Sequence, residues 1–327
     1  MPNKTGSAGL RTIAAGLALG VGLFGAAPSA LAWEPSEDVQ IVVHTKSTGS
    51  TYAYGAAVKA AIEDAGLMGQ EIDLRSIQGA GGAKARQHVA QTNAGNPHVV
   101  QVLTPSQINN PILARSDVNR DSFRGIAINV VTPLLMVVHA DSPYQSINDI
   151  VAAAKEKPGE VIQGGGAVGQ VASLVGKLFA DSQGVDITYT PFDDEGVLQL
   201  AGGHVDFILE NPAQVKKFVD AGRMRIVGTS NKLSFAPDVP TFEEAGYDFP
   251  VLQQYRGLWT SADVPEEARS YYGDLLKKVS ESDSFKEYVQ TNDLTPVWIS
   301  GAELEKMLNA EAKAYRDLSE ELNLISK

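Results

Sequence analysis

Cysteine is absent from the 327-residue chain. The protein therefore has no disulfide framework, no thiol nucleophile and no thiolate metal site. Its five histidines, at positions 44, 88, 98, 139 and 204, show no metal-ligand spacing. The G-x-S-x-G and H-E-x-x-H motifs of hydrolases are missing as well. We therefore predict no catalytic residue, no metal site and no cofactor, and we expect a protein that is not an enzyme.

Positive charge is scarce in this sequence. The chain has 27 Lys and Arg residues against 39 Asp and Glu residues, a net charge of −12 at pH 7. Nucleic-acid-binding surfaces need clustered basic residues, so we expect no nucleic-acid partner. Beyond the N-terminal segment, no run is long and apolar enough to cross a bilayer. These features predict a soluble, freely diffusing protein.

The N-terminal segment has the pattern of a secretory signal. Lys4 and Arg11 precede an apolar run at 12–27, and Ala30-Leu31-Ala32 fits the small-x-small pattern of a signal peptidase site. We predict that residues 1–32 are a removed signal peptide. The alternative is an N-terminal membrane anchor, for which the run is short and rich in Gly and Ala.

Strand and helix patterns alternate through the first hundred residues of the remaining chain. The β-rich runs VQIVVHT (39–45), EIDLRSI (71–77) and HVVQVLT (98–104) are separated by helical patterns at 51–66 and 81–95. Such a βαβαβ order predicts an α/β fold with a mainly parallel sheet and right-handed crossovers.

The alternation of strand and helix patterns continues after a long β-rich segment, 126–140, that Pro133 interrupts. Proline within a strand pattern suggests a bend or a crossing between domains. We predict two α/β lobes: a discontinuous first lobe, 33–132 and 254–327, and a second lobe, 133–253. Two connecting segments would form a hinge, and the cleft between the lobes is a usual place for a ligand.

The end of the chain reads as helical. Helix patterns cover VPEEARSYYGDLLKKVSES (264–282), DSFKEYVQTND (283–293) and AELEKMLNAEAKAYRDLSEEL (302–322). We therefore predict three helices after the last strand of the β-rich run 249–261.

A glycine-rich turn in VIQGGGAVGQVASL (161–174) is the most specific local motif. Gly164, Gly166 and Gly169 form G-x-G-x-x-G between a strand and a helix pattern. Backbone N–H groups of such a turn, with those of the helix N-terminus, can bind phosphate or carboxylate. The candidate contacts here are Gly166, Ala167, Val168, Gly169 and Gln170.

Two other interpretations of this turn remain open. One is a dinucleotide-binding fingerprint, because Asp193 and Asp194 follow the next strand pattern and could accept hydrogen bonds from the hydroxyl groups of a ribose. The strand before the turn is short and polar at its end, which counts against that interpretation. The other is a turn whose glycines serve only helix–sheet packing. Asp193 and Asp194 could equally accept from a ligand's amino or hydroxyl group, or lie in a solvated acidic turn.

The first lobe has a matching strand-to-helix turn in VHTKSTGSTYAYG (43–55). Its hydroxyl donors and one lysine suit an anion at a helix start, although plain N-capping by Ser50 or Thr51 is an equal alternative. The next strand ends in LTPS, and ligands in such sheets gather outside the carboxyl ends of strands. The candidate contacts of this lobe are Thr45, Lys46, Ser47, Thr48, Ser50, Thr51, Tyr52, Thr104 and Ser106.

The order of further motifs resembles one known family. QGAGG (78–82), SINDIVAAAKEKPGEV (146–161), GGAVGQVASL (165–174), AGGHVDFILEN (201–211) and AGRMRIVGTSNKLSFAPDVPTFEEAGYDF (221–249) follow in the order of its landmarks. The sequence is similar, over nearly all of the predicted mature chain, to the solute receptors of the tripartite tricarboxylate transporters, also called Bug receptors.

The resemblance implies a two-lobed periplasmic-binding-protein type II fold. It further implies a monomeric periplasmic receptor that closes on a di- or tricarboxylate, an aromatic acid or an acidic amino acid, and delivers it to membrane permease subunits. A sensor that presents its ligand to a membrane kinase is the alternative. On the matching positions, ligand contacts fall at 45–52, near 104–106 and at 166–170, with the segment after Pro191 lining the far wall. The departures from the family pattern, such as His44, Lys46 and Tyr52, lie in the expected pocket.

Overall fold

The computed structural model describes residues 33–166, 168–192, 195–249, 251–252, 254–321 and 325. The predicted signal peptide, 1–32, lies outside the described residues. Residues Trp33–Lys327 belong to a single structural unit that contains all the elements below.

The described residues form eleven strands. They are β1 (Val39–Val43), β2 (Ile72–Ser76), β3 (Val99–Leu103), β4 (Phe123–Thr132), β5 (Leu135–His139), β6 (Ile162–Gly165), β7 (Thr188–Pro191), β8 (Phe207–Glu210), β9 (Met224–Thr229), β10 (Gln254–Ser261) and β11 (Thr295–Ser300).

Ten α-helices accompany these strands in the described part of the chain. They are α1 (Ser50–Asp64), α2 (Ala83–Gln87), α3 (Pro105–Leu113), α4 (Ile147–Glu156), α5 (Val171–Gln183), α6 (Val197–Ala201), α7 (Pro212–Asp220), α8 (Glu266–Glu281), α9 (Asp283–Thr291) and α10 (Gly301–Glu321).

The strands form two sheets. The first has the order β11-β4-β10-β3-β1-β2, and the second has the order β7-β6-β8-β5-β9. The chain passes from β4 of the first sheet to β5 of the second through Pro133 and Leu134. It returns to the first sheet in the segment between β9, the last strand of the second sheet, and β10. The boundaries of the two predicted lobes stay a prediction.

Both sheets are mixed: in each, most strands run in one direction, and β10 and β11 of the first sheet and β5 of the second run in the opposite one. β1 is parallel to β2 and β3, and β6 is parallel to β7 and β8. The strands next to the crossings, by contrast, are antiparallel to their neighbours: β10 to β3 and β4, and β5 to β8 and β9. A strand that enters a sheet from the other one need not follow a βαβ crossover, so the right-handed parallel rule does not govern it.

Two elements differ from the sequence prediction. The segment predicted as a helix over 81–95 forms a 3-10 turn (Ala80–Gly82), α2 and a π-helical turn (His88–Thr92). Gly82, with a left-handed φ of 85°, separates the 3-10 turn from α2. The three helices predicted at the end of the chain are present as α8, α9 and α10, but β11, which was not predicted, lies between the second and the third. It pairs antiparallel with the edge of β4, and this long-range pairing has no signal in local helix propensity.

The cores lie on the faces of the two sheets. In the first sheet, Trp259 of β10 is fully buried and stacks on Phe123 with ring centroids 4.0 Å apart. Its indole N–H donates to Gln101 Oε1 at 3.1 Å. In the second sheet, Phe207 and Leu209 of β8 are buried against α5. Within the described residues we find no helical segment with the length and hydropathy of a transmembrane span.

Candidate functional site

A cavity of about 520 Å³ lies between elements of the two sheets. The first-sheet side contributes residues at the starts of α1 and α3, on β10 and on α10, and the second-sheet side contributes the turn before α5 and the end of β8. Its polar and glycine lining is Ser50, Thr51, Thr104, Ser106, Asn109, Asn110, Gly166, Gly169, Gln170, Glu195, Glu210, Asn211, Gln214, Gln254, Tyr255, Arg256 and Tyr315.

Four helices begin at this cavity. The N-cap residues of α1, α3, α5 and α7 are Gly49, Thr104, Gln170 and Asn211, and none of these four caps accepts a side-chain hydrogen bond from the helix that it begins. The first turns of α1 and α5 therefore keep backbone N–H donors, whereas α3 and α7 begin with Pro105 and Pro212, which have none; the helix dipoles add a positive partial charge at all four ends. Such an arrangement suits an anion.

Hydroxyl groups line the first-sheet wall. Thr104 Oγ1 and Ser106 Oγ lie 2.9 Å apart, and Ser106 Oγ lies 3.0 Å from His44 Nε2. Burial, aided by the charges of Arg86 and Arg256, lowers the pKa of His44 to about 4. His44 is therefore neutral at physiological pH, and it orients Ser106 rather than supplying charge.

Arg256 supplies the positive charge of this wall. From β10 it donates through Nη1 to Thr132 Oγ1 at 2.7 Å and through Nη2 to Ser50 Oγ at 2.8 Å. Its buried Nε has no hydrogen-bond partner among the described residues, and no carboxylate of the described residues forms a salt bridge with it. Burial lowers the pKa of Arg256 from its usual 12.5, but an arginine stays cationic at neutral pH.

A second arginine lies behind the same wall. Arg86 is fully buried, donates through Nη1 to Gly81 O at 3.2 Å and to Gln107 Oε1 at 3.3 Å, and forms no salt bridge within the described residues. Burial lowers its pKa to about 10. This cation lies beyond the residues that line the cavity, and its charge contributes to lowering the pKa of His44.

The glycine turn forms the second-sheet wall. Gly166 lies where a Cβ would collide with the side chain of Gln170, and its carbonyl accepts a hydrogen bond of 2.7 Å from Tyr189 Oη. Gly169 has a left-handed φ of 91°, and its N–H donates to Ser173 Oγ at 2.9 Å. The Gly169 amide is thus already bonded, and the N–H groups that remain are those of the first turn of α5.

Two acids complete this wall. Glu210 ends β8 and is only 6% exposed, and its Oε2 accepts from Asn211 N at 2.8 Å and from Asn211 Nδ2 at 2.9 Å. Burial and a hydrogen bond with the carboxyl group of Glu195 raise the pKa of Glu210 to about 9. Glu210 therefore carries a proton at neutral pH.

Residues 58–324 match the tripartite tricarboxylate transporter family receptor, TctC. The chain belongs to this family. The match covers most of the chain but begins inside α1, after the predicted first-lobe contacts 45–52. TctC proteins are transporter receptors and not enzymes, so the prediction that the chain is not an enzyme is confirmed.

Known TctC relatives agree with this assignment. Protein BugT of Bordetella pertussis is 25% identical over 229 residues, which are 68% of this chain and 70% of BugT. A TctC solute binding protein from Polaromonas superposes with a TM-score of 0.79 at 21% identity, covering 88% of this chain and 99% of that one. MatC from Rhodopseudomonas palustris, solved with bound malate, superposes with a TM-score of 0.60 at 19% identity, covering 87% and 99%. The predicted family and its type II binding-protein fold are confirmed.

The structure of this TctC receptor brings eight predicted contacts to the cavity. They are Ser50, Thr51, Thr104, Ser106, Gly166, Val168, Gly169 and Gln170. Three further predicted residues, Ala167, Asp193 and Asp194, lie outside the described residues.

Five predicted contacts do not line the cavity. Lys46, Ser47 and Thr48 are exposed, Thr45 is half-buried, and Tyr52 borders a separate surface groove with Lys59 and Glu63. The reason is that the chain turns tightly at Lys46, where Gly49 N donates to Lys46 O at 2.9 Å, so only the start of α1 reaches the cavity.

Several cavity residues of this receptor were missed by the sequence analysis. Glu210 and Asn211 follow the apolar run of β8, and the same strand-end rule that selected Thr104 would have found them. Arg256 had a weaker signal, as a single basic residue inside a β-rich run. Tyr315 reaches the cavity from the middle of α10, and no local pattern distinguishes it from a core tyrosine.

Proposed function

We propose that this TctC receptor binds a small carboxylate in the cavity and delivers it to the permease subunits of a tripartite tricarboxylate-type transporter. It is exported by its signal peptide and works as a monomer in the periplasm. The observation that carries the proposal is that four uncapped helix N-termini and Arg256 meet at one cavity.

The electrostatics of the first-sheet wall favour an anion. Arg256 and the buried Arg86 lie on or behind this wall, and both acids of the lining lie on the opposite wall. Charge-assisted hydrogen bonds from a guanidinium and from helix N-termini are among the strongest that a carboxylate accepts. Exclusion of water would strengthen them further.

The size of the cavity and the relatives support a small ligand. A volume of about 520 Å³ suits a molecule of modest size. MatC, which shares the fold, holds malate, a four-carbon dicarboxylic acid. We assign the contacts to Ser50, Thr51, Thr104, Ser106, Gly166, Val168, Gly169 and Gln170, together with Arg256.

A thermal-shift screen of organic acids, amino acids and nucleotides tests the proposal. We expect stabilisation by at least one small carboxylate and by no nucleotide. Arg256→Gln should then weaken that carboxylate about tenfold to hundredfold, since it removes a charge-assisted hydrogen bond. Arg124→Gln, which alters an arginine outside the cavity lining, is the control and should keep the affinity. Stabilisation by a nucleotide but by no acid would overturn the assignment.

A further inference from the structure

Arg86, on α2 behind the first-sheet wall, is a buried cation without an acid beside it. Its side chain is fully buried, and none of the salt bridges among the described residues includes it. The acceptors of its Nη1, the carbonyl oxygen of Gly81 and Oε1 of Gln107, are both neutral. A charge that is removed from water is normally paired, because its burial without a partner costs free energy. The described part of the chain leaves this positive charge uncompensated.

Two other nitrogen atoms of the same guanidinium have unused N–H groups. Nε and Nη2 of Arg86 are shielded from solvent and make no hydrogen bond with the described residues. Arginine nitrogens only donate, and burial lowers the pKa of this group no further than about 10, so it remains a cation at neutral pH. Buried donors normally have an acceptor, and here the described residues do not supply one.

Gln107, on α3, adds an unused donor beside Arg86. Its Oε1 accepts from Arg86 Nη1 and from Gln101 Nε2, both at 3.3 Å, and the amide of Gln101 is oriented in turn by the indole N–H of Trp259. Turning the Gln107 amide over would set its NH₂ group against two donors, so these contacts fix its orientation. Gln107 is fully buried, and its Nε2 has no partner among the described residues.

Gly82 allows these groups to approach one another. A Cβ at position 82 would lie 2.8 Å from Gln107 Nε2, 3.3 Å from Arg86 Nη1 and 3.3 Å from the Cβ of His44. The buried Nδ1 of His44 is also without a partner among the described residues, while its Nε2 lies 3.0 Å from Ser106 Oγ. When Nε2 accepts from this hydroxyl, Nδ1 carries the proton of the neutral ring and is a further donor. Donors from three segments of the first sheet's flank therefore meet around Gly82.

The chemistry of these donors favours an anion over a water molecule. The unused groups of Arg86 and Gln107 can only donate, and those of Arg86 belong to a cation. A water molecule would accept from them, but it must also donate its own two hydrogens, and it would leave the positive charge uncompensated. An anion accepts from all of these groups and supplies the missing negative charge. Because Arg86 and Gln107 are fully buried, the anion must be small.

We propose that the chain has a second anion site, the Arg86 site, in which a halide such as chloride accepts hydrogen bonds from Arg86 and Gln107. Neither of these residues nor His44 lines the ligand cavity, so the site is separate from the one that we assign to the carboxylate. The halide compensates the buried guanidinium and holds α2 against α3. It stabilises the fold and does not compete with the carboxylate.

The dependence of the unfolding temperature on chloride tests the Arg86 site. In the full mature chain, chloride replaces a bulky sulfonate at constant ionic strength, in a buffer without carboxylates. We expect a rise of about 2–4 °C for each tenfold increase of chloride beyond its dissociation constant. Arg256→Gln, which alters the ligand cavity, should show the same rise. A wild-type unfolding temperature that ignores chloride, or a rise that disappears in Arg256→Gln, would overturn the inference and leave the carboxylate-receptor function intact.

Two variants locate the halide. Arg86→Met removes the cation and its donors, so the chloride dependence should vanish. Gln107→Glu keeps the shape of the side chain and places a carboxylate beside Arg86, so the variant should be stable without chloride and insensitive to it. Arg124→Gln is the matched control and should respond like the wild type. An undiminished chloride dependence in either variant would contradict the site, and Gln107→Glu decides alone if Arg86→Met does not fold.

Bromide makes the position of the ion visible. Anomalous diffraction from a crystal grown in bromide should show a peak within hydrogen-bond distance of Gln107 Nε2 and of Nε or Nη2 of Arg86. A water molecule at this place would refute the inference. So would a bromide peak without any chloride dependence in solution, because it would show binding at crystal concentration only.

Discussion

Glu210 and Glu311 are acids whose environment favours the protonated form. Burial raises the pKa of Glu311 to about 8, and Glu311 accepts a hydrogen bond of 2.6 Å from Tyr255 Oη, next to the cavity. Glu210 has its pKa raised to about 9 by burial and by Glu195. The protonation of these two carboxyl groups therefore makes the free energy of unfolding depend on pH.

The sign of this pH dependence follows from the direction of the shifts. Between the usual pKa of 4.5 and the raised values, the unfolded chain has lost these protons while the native chain retains them, so stability falls as pH rises. His44 acts in the opposite direction only below its usual pKa of 6.5, because its folded pKa is lowered to about 4.

We therefore expect the unfolding temperature to fall as pH rises from about 6.5 to about 9. Glu210→Gln should make that decline shallower, since it removes one of the two protons released, whereas Glu160→Gln, at an exposed acid outside the cavity lining, should not change its slope. Scanning calorimetry at several pH values measures both. A wild-type curve that stays level over this range would show that these acids are ionised in the folded chain.

At the scale of the element, we expect the first turn of α5 to provide the anion contacts that the sequence assigned to the glycine turn. Its N-cap Gln170 is exposed, lines the cavity and makes no side-chain cap. Asp and Asn are much better N-caps than Gln because their short side chains accept from the first-turn N–H groups. The identity of this residue thus leaves the start of α5 open to a ligand at a cost in helix stability.

Gln170→Asp and Gln170→Asn separate these two effects. Both should stabilise the fold by about 0.5–1 kcal/mol through the new cap. Asp should weaken carboxylate binding about tenfold or more, because its charge competes with the ligand at the helix start, and neutral Asn should weaken it less. Chemical denaturation and calorimetry give the two quantities. If Asp and Asn had equal effects on affinity, the charge of the ligand would not lie at α5.

Across the whole molecule, the cavity draws its walls from two sheets that two chain segments connect. Pro133 and Leu134 join β4 to β5, and the longer segment after β9 leads back to β10. We expect a ligand that contacts both walls to favour the conformation in which the walls are close, so that binding shifts the population towards closure.

Small-angle scattering tests this closure. We expect the radius of gyration to decrease when a stabilising ligand from the thermal-shift screen is added at saturation. The Arg256→Gln variant, at the same ligand concentration, should show a smaller change because less of it is bound. An unchanged radius in a sample that calorimetry shows to be saturated would exclude hinge closure as the response to ligand.

The amino-acid sequence by itself determined the order of the elements and half of the site. Local patterns located β1 to β3 and the turns at Gly166 and Thr104, because hydrophobic periodicity, glycine and strand ends act over a few neighbouring residues. The family motifs added the two-lobed fold. Sequence patterns did not predict the mixed sheets or β11, since strand partners are chosen by packing over long distances.

Only the tertiary structure decided the charges of the cavity. Arg256 donates to Ser50, which lies 206 residues away along the chain, and Glu195, in the turn before α6, contacts Glu210 at the end of β8. The contact between Arg256 and Ser50 depends on the return of the chain from the second sheet to β10 of the first sheet, and the contact between Glu195 and Glu210 depends on the packing of the second sheet. Burial at the meeting point then sets the proton on Glu210 and leaves Arg256 without an acid among the described residues, and neither effect exists in the extended chain.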